Sequence, residues 1–238
     1  MLERTRLSIA SYNIHSSVGM DRRRSPARIA QVLQELDCDI YALQEVDNQP
    51  GEHEESMQLE YLARQLGMQA IPGLRIVRHT GEYGNAVLTR LPVLSTRRHD
   101  LSCRRWEPRG AIDVQVEVNG APLRVIATHL GLSRSERRDQ WRQLMKAVAE
   151  APADAPTLLL GDMNEWFRSA ATLREAHRIF GEAPSPAAFP SFAPCLALTR
   201  IWLRPRRALL SLQVHRSELA RKASDHLPVK AVVDVEKT

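Results

Sequence analysis

The run Thr157-Leu158-Leu159-Leu160-Gly161-Asp162-Met163-Asn164 passes abruptly from apolar residues to a glycine, a carboxylate and an amide. Apolar and β-branched residues between Pro156 and Gly161 read as a strand covered on both faces. Asp162 and Asn164 then stand at its C-terminal mouth, where α/β proteins usually place their chemistry. A lone Asp in that position is ordinarily a turn residue. The same ending recurs along this chain, however. Asn13, Glu45, Asn85, His129 and the pair Asp225-His226 each sit at or beside one end of an expected strand. Taken singly, Asn13 and Asn85 are turn caps and His129 is a satisfied core histidine. Gathered together, Glu45, Asp162 and Asp225 are costly unless a cation lies among them.

The elements that must position these residues follow from periodicity. Residues 7–14 read as a strand ending in Tyr12-Asn13-Ile14-His15. Ser25 is an N-cap with Pro26 at the first helical position, and Ile29, Val32, Leu33 and Leu36 recur at helical spacing. Residues 39–45 form the next strand and stop at Glu45, completing a β-α-β unit. Leu59, Leu62, Ala63 and Leu66 give a second amphipathic helix closed by Gly67. Strands are expected at 69–77 and 84–89. Ile112, Val114, Val116 and Val118 alternate with polar residues, Asn119-Gly120 makes a hairpin turn, and the return strand 123–128 delivers His129. Ser133 and Glu136 form a capping box ahead of the stripe Trp141, Leu144, Met145 and Val148. Residues 169–180 make a weaker helix. The segment carrying Pro184, Pro186, Pro190 and Pro194 is a long irregular loop. Residues 201–203 and 208–214 read as a strand pair, 217–224 as a polar loop and 229–235 as the last strand. Helical crossovers mixed with an antiparallel hairpin point to two packed sheets with helices outside.

The chain of 238 residues, 43% hydrophobic, suits a single domain spanning 1–238. No apolar run approaches the ~20 residues that span a bilayer, and Met1 to Arg6 lack the apolar core of a secretory signal. Cys38, Cys103 and Cys195 are odd in number and form no zinc spacing, which suggests reduced thiols in a cytoplasmic setting. The net charge of +5 is compatible with a polyanionic partner. The basic doublets Arg97-Arg98, Arg104-Arg105 and Arg206-Arg207 are scattered, however, and only four of the 33 basic residues are lysine, so the charge forms no tail. Glu52-His53-Glu54-Glu55 reads as solvated acids ahead of a helix N-terminus, because no second histidine follows at HExxH spacing.

Tyr12-Asn13-Ile14-His15, Leu43-Gln44-Glu45-Val46, Gly84-Asn85-Ala86, Arg109-Gly110, Thr128-His129, Gly161-Asp162-Met163-Asn164 and Ser224-Asp225-His226 occur in one order from residue 12 to residue 226. The ordered set resembles the endonuclease/exonuclease/phosphatase family, the DNase I-like phosphohydrolases. The stretch from Tyr12 to Asp21 and the segment Ile201-Trp202-Leu203-Arg204-Pro205 are similar to a bacterial subgroup of metal-dependent hydrolases. The resemblance implies a four-layer α/β sandwich, two mixed β-sheets packed together and flanked by helices. It also implies Mg²⁺- or Mn²⁺-dependent hydrolysis of a phosphoester, in nucleic acid, a phospholipid-like molecule or a small ester.

Carboxylates repel a phosphodiester unless a divalent cation stands between them. On that logic Glu45, with Asn13 and Asp225, is the expected metal site. Asp162 is the candidate to orient and deprotonate the attacking water, with Asn164 fixing that water or the phosphate. His226 and His129 would donate to phosphoryl oxygens, with Asp225 beside them, and Asn85 and Arg109 would position the substrate. One position departs from the family pattern. The aspartate that holds the catalytic histidine is replaced by Thr199, which can accept a hydrogen bond but brings no negative charge. Thr199 therefore sustains a second reading, a weakened or non-catalytic member that binds a phosphorylated partner.

Overall fold

The computed structural model describes residues 4–78, 81–103, 106–152 and 154–236. The Arg104-Arg105 doublet and the first three residues lie outside them. In chain order the elements are β1 (Arg4–Asn13), α1 (Pro26–Leu36), β2 (Ile40–Asn48), α2 (Gln58–Leu66), β3 (Gln69–Arg78), β4 (Gly81–Thr89), β5 (Val93–Asp100), β6 (Gly110–Val118) and β7 (Ala121–His129). There follow α3 (Arg134–Ala149), β8 (Thr157–Asp162), α4 (Ala171–Phe180), β9 (Thr199–Arg204), β10 (Leu209–Val214), α5 (Glu218–Ala223) and β11 (Val229–Glu236).

The strands form a six-stranded sheet in the order β10-β11-β1-β2-β4-β3 and a five-stranded sheet in the order β5-β6-β7-β8-β9. Each is mixed. β1 runs parallel to β2 and β7 parallel to β8, while the other pairs are antiparallel. The sheets pack face to face, with β1 and β2 against β7 and β8. α1, α2 and α5 cluster on the first sheet and α4 packs on β9 of the second. Trp141 of α3 meets Trp202 of β9 edge-on at 6.2 Å, so the expected four-layer sandwich is what forms. No helix among the described residues is long and apolar enough to cross a membrane.

Local chemistry accounts for the elements. Ser25 Oγ accepts from the Arg28 N–H at 3.3 Å with Pro26 at the first turn. Gly67 ends α2 at φ +62°. Asn119 and Gly120, both at positive φ, close the β6–β7 hairpin. Leu158, Leu159 and Leu160 are fully buried, since β8 is covered on both faces; each such leucine contributes roughly 1.5–3 kcal/mol.

Four features differ from the sequence expectation. Residues 93–100 form an edge strand that polarity concealed: Ser95, Thr96, Arg97 and Arg98 are exposed, as befits an edge. Residues 217–224 are not a loop. Ser217 Oγ accepts from the Ala220 N–H at 3.0 Å and starts the short helix α5. β9 and β10 are not a pair, because the chain crosses from one sheet to the other between them and β10 pairs with β11. Finally, β2 does not end at Glu45 but runs on to Asn48.

Gly161 sits at φ +145°, and a Cβ there would lie 1.8 Å from the Thr128 carbonyl oxygen of β7. Only glycine allows β8 to approach β7 this closely beside Asp162. Gly161→Ala should therefore lower stability by roughly 3 kcal/mol, read as a shift in the urea unfolding midpoint at unchanged slope.

Candidate active site

Glu45 owes its position to a β-bulge. Leu43 lies opposite Ala86 and Val46 opposite Gly84, so Gln44 and Glu45 together face Asn85 alone. The extra residue puts Glu45 at φ +59°, in the left-handed region. That conformation costs of order 1–3 kcal/mol in a non-glycine residue, and it turns the carboxylate out of the strand's alternation.

The parallel pairs β1–β2 and β7–β8 open their C-terminal ends at one rim of the sandwich, where Asn13 joins them. Its Nδ2 donates to Glu45 Oε1 at 2.9 Å and to Asp162 Oδ2 at 3.2 Å. Its Oδ1 accepts from the His15 N–H at 3.1 Å, which sets the amide's orientation. One nitrogen of the first sheet thus tethers a carboxylate from each sheet. Asp162 Oδ1 accepts from the Asn164 N–H at 3.0 Å, with Asn164 at φ +51°. His129 Nε2 and His226 Nε2 lie 3.8 and 3.6 Å from Asp162 Oδ2. Burial opposes charge on Asp162, but the nearby His129 and His226 rings, the Asn13 amide and the Asn164 N–H together hold it below the usual carboxylate range.

Both ring nitrogens of His129 face donors: Arg109 Nη1 lies 3.0 Å from Nδ1 and Asn164 Nδ2 lies 3.0 Å from Nε2, and a neutral imidazole accepts at only one of them. Burial, then the Arg109 charge, push His129 down to about 4. At neutral pH it is uncharged. Asn164 Nδ2 also donates to the Leu130 carbonyl at 2.8 Å. The His129 ring and the Asn164 amide therefore flank Asp162.

The remaining expected residues are placed differently. Asp225 Oδ1 is 3.9 Å from His15 Nδ1 and 3.3 Å from Ser224 Oγ, so its neighbours here are His15 and Ser224. Arg109 braces His129 and pairs with Glu107 at 2.9 Å, and Asn85 donates to the Gly110 carbonyl at 3.1 Å. Both nonetheless line a small recess with Tyr83, Gly84 and Pro108. Tyr83 escaped the sequence reading, although it shares a strand face with Asn85. Burial, with Glu45 next, pushes its phenol upward, so it stays protonated beside that carboxylate. Ser224 was also missed as a tie: its Oγ donates to the Asn13 carbonyl at 2.8 Å.

Thr199 lies opposite Asp162 in the β8–β9 ladder. Its Oγ1 and the Nδ1 of His226 are both buried without a hydrogen-bond partner. The hydroxyl therefore does not hold the imidazole here, and Phe189, with its ring centroid 4.6 Å from that of His226, is what packs against it.

As a cation site the donor set is sparse. Among the described residues no group of three or more His, Cys, Asp or Glu side chains converges as a metal cage. Mg²⁺ needs no such cage, since it is commonly held through one or two carboxylates plus waters and substrate phosphate. Half-buried Glu45, with Asp162 tied to the same amide, fits that pattern.

Comparison with known proteins agrees with this fold. The model of the Endonuclease/Exonuclease/phosphatase family matches residues 10–226. The uncharacterized protein YbhP of Escherichia coli (strain K12) is 29% identical, over 94% of this chain and 95% of its own. An endonuclease/exonuclease/phosphatase structure from Beutenbergia cavernae superposes with a TM-score of 0.77 at 22% identity, covering 96% of this chain and 71% of that one. A functionally unknown conserved protein from Enterococcus faecalis does so at 0.80 and 19% identity, covering 97% and 100%.

The buried neutral His129 has a stability consequence. Between its ordinary value of 6.5 and about 4 the unfolded chain binds the proton and the folded chain does not, so stability falls as pH drops through that window. Without divalent cations the wild type should lose roughly 3 kcal/mol there. In His129→Gln, urea titrations across the same pH range should show a flatter profile.

Proposed function

We propose, from the premise that this chain belongs to the endonuclease/exonuclease/phosphatase family, whose members are in general phosphoester hydrolases, that it cleaves a phosphodiester with a divalent cation. The observation that carries this reading is the single Asn13 nitrogen tying Glu45 to Asp162, with His129 and His226 beside Asp162. Glu45 is the residue to hold Mg²⁺ or Mn²⁺, with Asn13 orienting its carboxylate. Such an ion, when bound, supplies positive charge to the phosphoryl oxygens.

The chain's own groups divide the rest of the work. Asp162, kept ionised, orients the attacking water and accepts its proton. Its lowered pKa makes it a weak base, so orientation is the larger part of that role. Asn164 Nδ2 and the His129 ring lie where they can donate to the phosphoryl oxygens as charge builds. His226 donates beside them through Nε2. Arg109 braces the His129 ring, and Asn85 and Tyr83 shape the recess that receives the ester. Asp225 acts through His15 and the Ser224 turn, as a positioning residue.

The second reading, a binding module without turnover, draws on the unpartnered Thr199 Oγ1 and His226 Nδ1. Hydrolysis of bis(p-nitrophenyl) phosphate, with Mg²⁺ or Mn²⁺ and with chelator, separates the two. Metal-dependent turnover that falls by about 10³-fold in Asp162→Asn is expected. Retained phosphoester binding with no turnover under either metal would establish the module instead.

Thr199→Asp would give His226 Nδ1 an anionic acceptor. It should raise turnover by about tenfold and shift the pH–rate profile, because an adjacent carboxylate favours the imidazolium. An unchanged rate and profile would remove the positioning role assigned to this site.

A further inference from the structure

Large apolar side chains left in solvent gather around the mouth. Among the described residues eight are exposed, and six of them, Met20, Trp106, Leu132, Trp166, Phe167 and Phe192, lie on loops that leave or brace the strand ends. Leu132 follows His129 by three residues and Trp166 follows Asn164 by two. The Ser191 N–H donates to the Asp225 carbonyl at 2.7 Å, which brings Phe192 beside the Asp225-His226 turn. Arg137 donates to the Leu132 carbonyl at 2.6 Å and pairs with Glu165 at 3.2 Å, so the Leu132 and Phe167 loops are fastened together. Relative exposures of 74% for Leu132, 64% for Phe192, 60% for Phe167 and 54% for Trp166 mean that none of these tips is merely grazed by water.

Cations accompany the tips. The Arg134 guanidinium lies 5.8 Å from the Phe167 ring centroid. Arg221 Nη1 donates to the Phe192 carbonyl at 3.4 Å. The Met20 N–H donates to the carbonyl of Lys222, whose side chain is exposed. Apolar tips interleaved with basic side chains are the signature of a surface that sits at a membrane interface, the tips entering the acyl boundary and the cations facing lipid phosphates. Trp106, Trp166, Phe167 and Phe192 offer faces on which nucleic-acid bases stack, but Met20 and the most exposed tip, Leu132, do not, whereas an acyl boundary takes all six. Six exposed apolar side chains on loops that leave or brace these strand ends are also more than the isolated surface hydrophobics that need no explanation.

We propose that this rim docks on an anionic lipid bilayer, so that the phosphodiester reaching Glu45 and Asp162 is that of a lipid headgroup. The headgroup half rests on the phosphohydrolase reading; the docking half does not. Vesicle co-sedimentation tests the docking half, with phosphatidylcholine alone and phosphatidylcholine mixed with phosphatidylglycerol, on the metal-free chain. Hydrolysis of bis(p-nitrophenyl) phosphate, run in parallel, reports the phosphohydrolase reading separately. The neutral double variant Leu132→Ser/Phe167→Ser and the variant Phe192→Ser remove apolar area from exposed positions without changing charge.

The wild type should bind the anionic vesicles in preference to the neutral ones, more weakly as salt rises. The double variant should lose about tenfold in partitioning. Turnover of the lipid phosphodiester should then fall with partitioning, while Arg134→Gln weakens binding to anionic vesicles alone. Wild-type chain that hydrolyses the soluble diester but binds no vesicle, or rim variants that bind vesicles like wild type, would overturn the docking surface and leave the hydrolase reading standing. Vesicle binding without turnover of either diester keeps the docking surface and overturns the headgroup half. Rim substitutions that weaken binding of a single-stranded oligonucleotide, or that break up a dimer, with no vesicle binding by the wild type, would assign the rim to those partners instead.

Discussion

One side-chain amide holds the two halves of the site in register. Asn13 ends the strand that borders both β2 and β11, and its nitrogen reaches a carboxylate of its own sheet and one of the facing sheet. Two carboxylates this near each other repel, and burial of Asp162 makes the repulsion stronger. Amide N–H groups offset it without adding a charge that would neutralise either acid. The arrangement depends on the amide being unable to turn, which the His15 N–H ensures by occupying its oxygen. The Asn13 carbonyl is in turn held by Ser224, the residue that starts the Asp225-His226 turn. The ends of β1 and the start of β11 are therefore coupled through a few hydrogen bonds at the rim.

Around that tether the polar groups form two opposed sets. Glu45 and Asp162 are the acceptors; Asn13, Asn164 and Arg109 are the donors, and the His129 ring lies between the last two. A neutral His129 does not pair off the Asp162 charge. Backbone strain gathers in the same place. His15, Ser16, Ser17, Glu45 and Asn164 all have positive φ, a conformation that persists only where the surrounding structure over-determines it. Here the surroundings are two fully formed sheets whose central residues, such as Ile9, Leu43, Ile126 and Leu159, are wholly buried.

Thr199 Oγ1 and His226 Nδ1 are left unpaired within the site, as is Arg109 Nε. Buried polar atoms without partners cost about 1–3 kcal/mol each, and packing of Phe189 on the imidazole replaces no such bond. Near the same opening, exposed aromatic and aliphatic tips surround a polar centre.

Much of this was legible in the chain. Elements with a strong local cause could be read directly: Ser25 and Pro26 at a helix start, Gly67 at a helix end, Asn119-Gly120 in a hairpin, the leucines of β8. So could the residue types at the strand ends, because Asn13, Glu45, Asp162 and His226 each sit at or beside one end of an expected strand. Features set by partners far along the chain could not. β5 has an edge strand's polar composition, and the short helix at 218–223 depends on one cap. The separation of β9 from β10 reflects which sheet each one completes. The bulge at Glu45 is absent from the local pattern, since only alignment against β4 reveals that two residues face one. Likewise the contacts of Arg109 with His129 and of Asp225 with His15 join residues far apart in the chain. Residue types and local periodicity determined the elements and the inventory of donors and acceptors. Tertiary structure alone decided which donor faces which acceptor, because those distances depend on how two sheets pack, and packing joins residues such as Asn13 and Asp162 that no local interaction brings together.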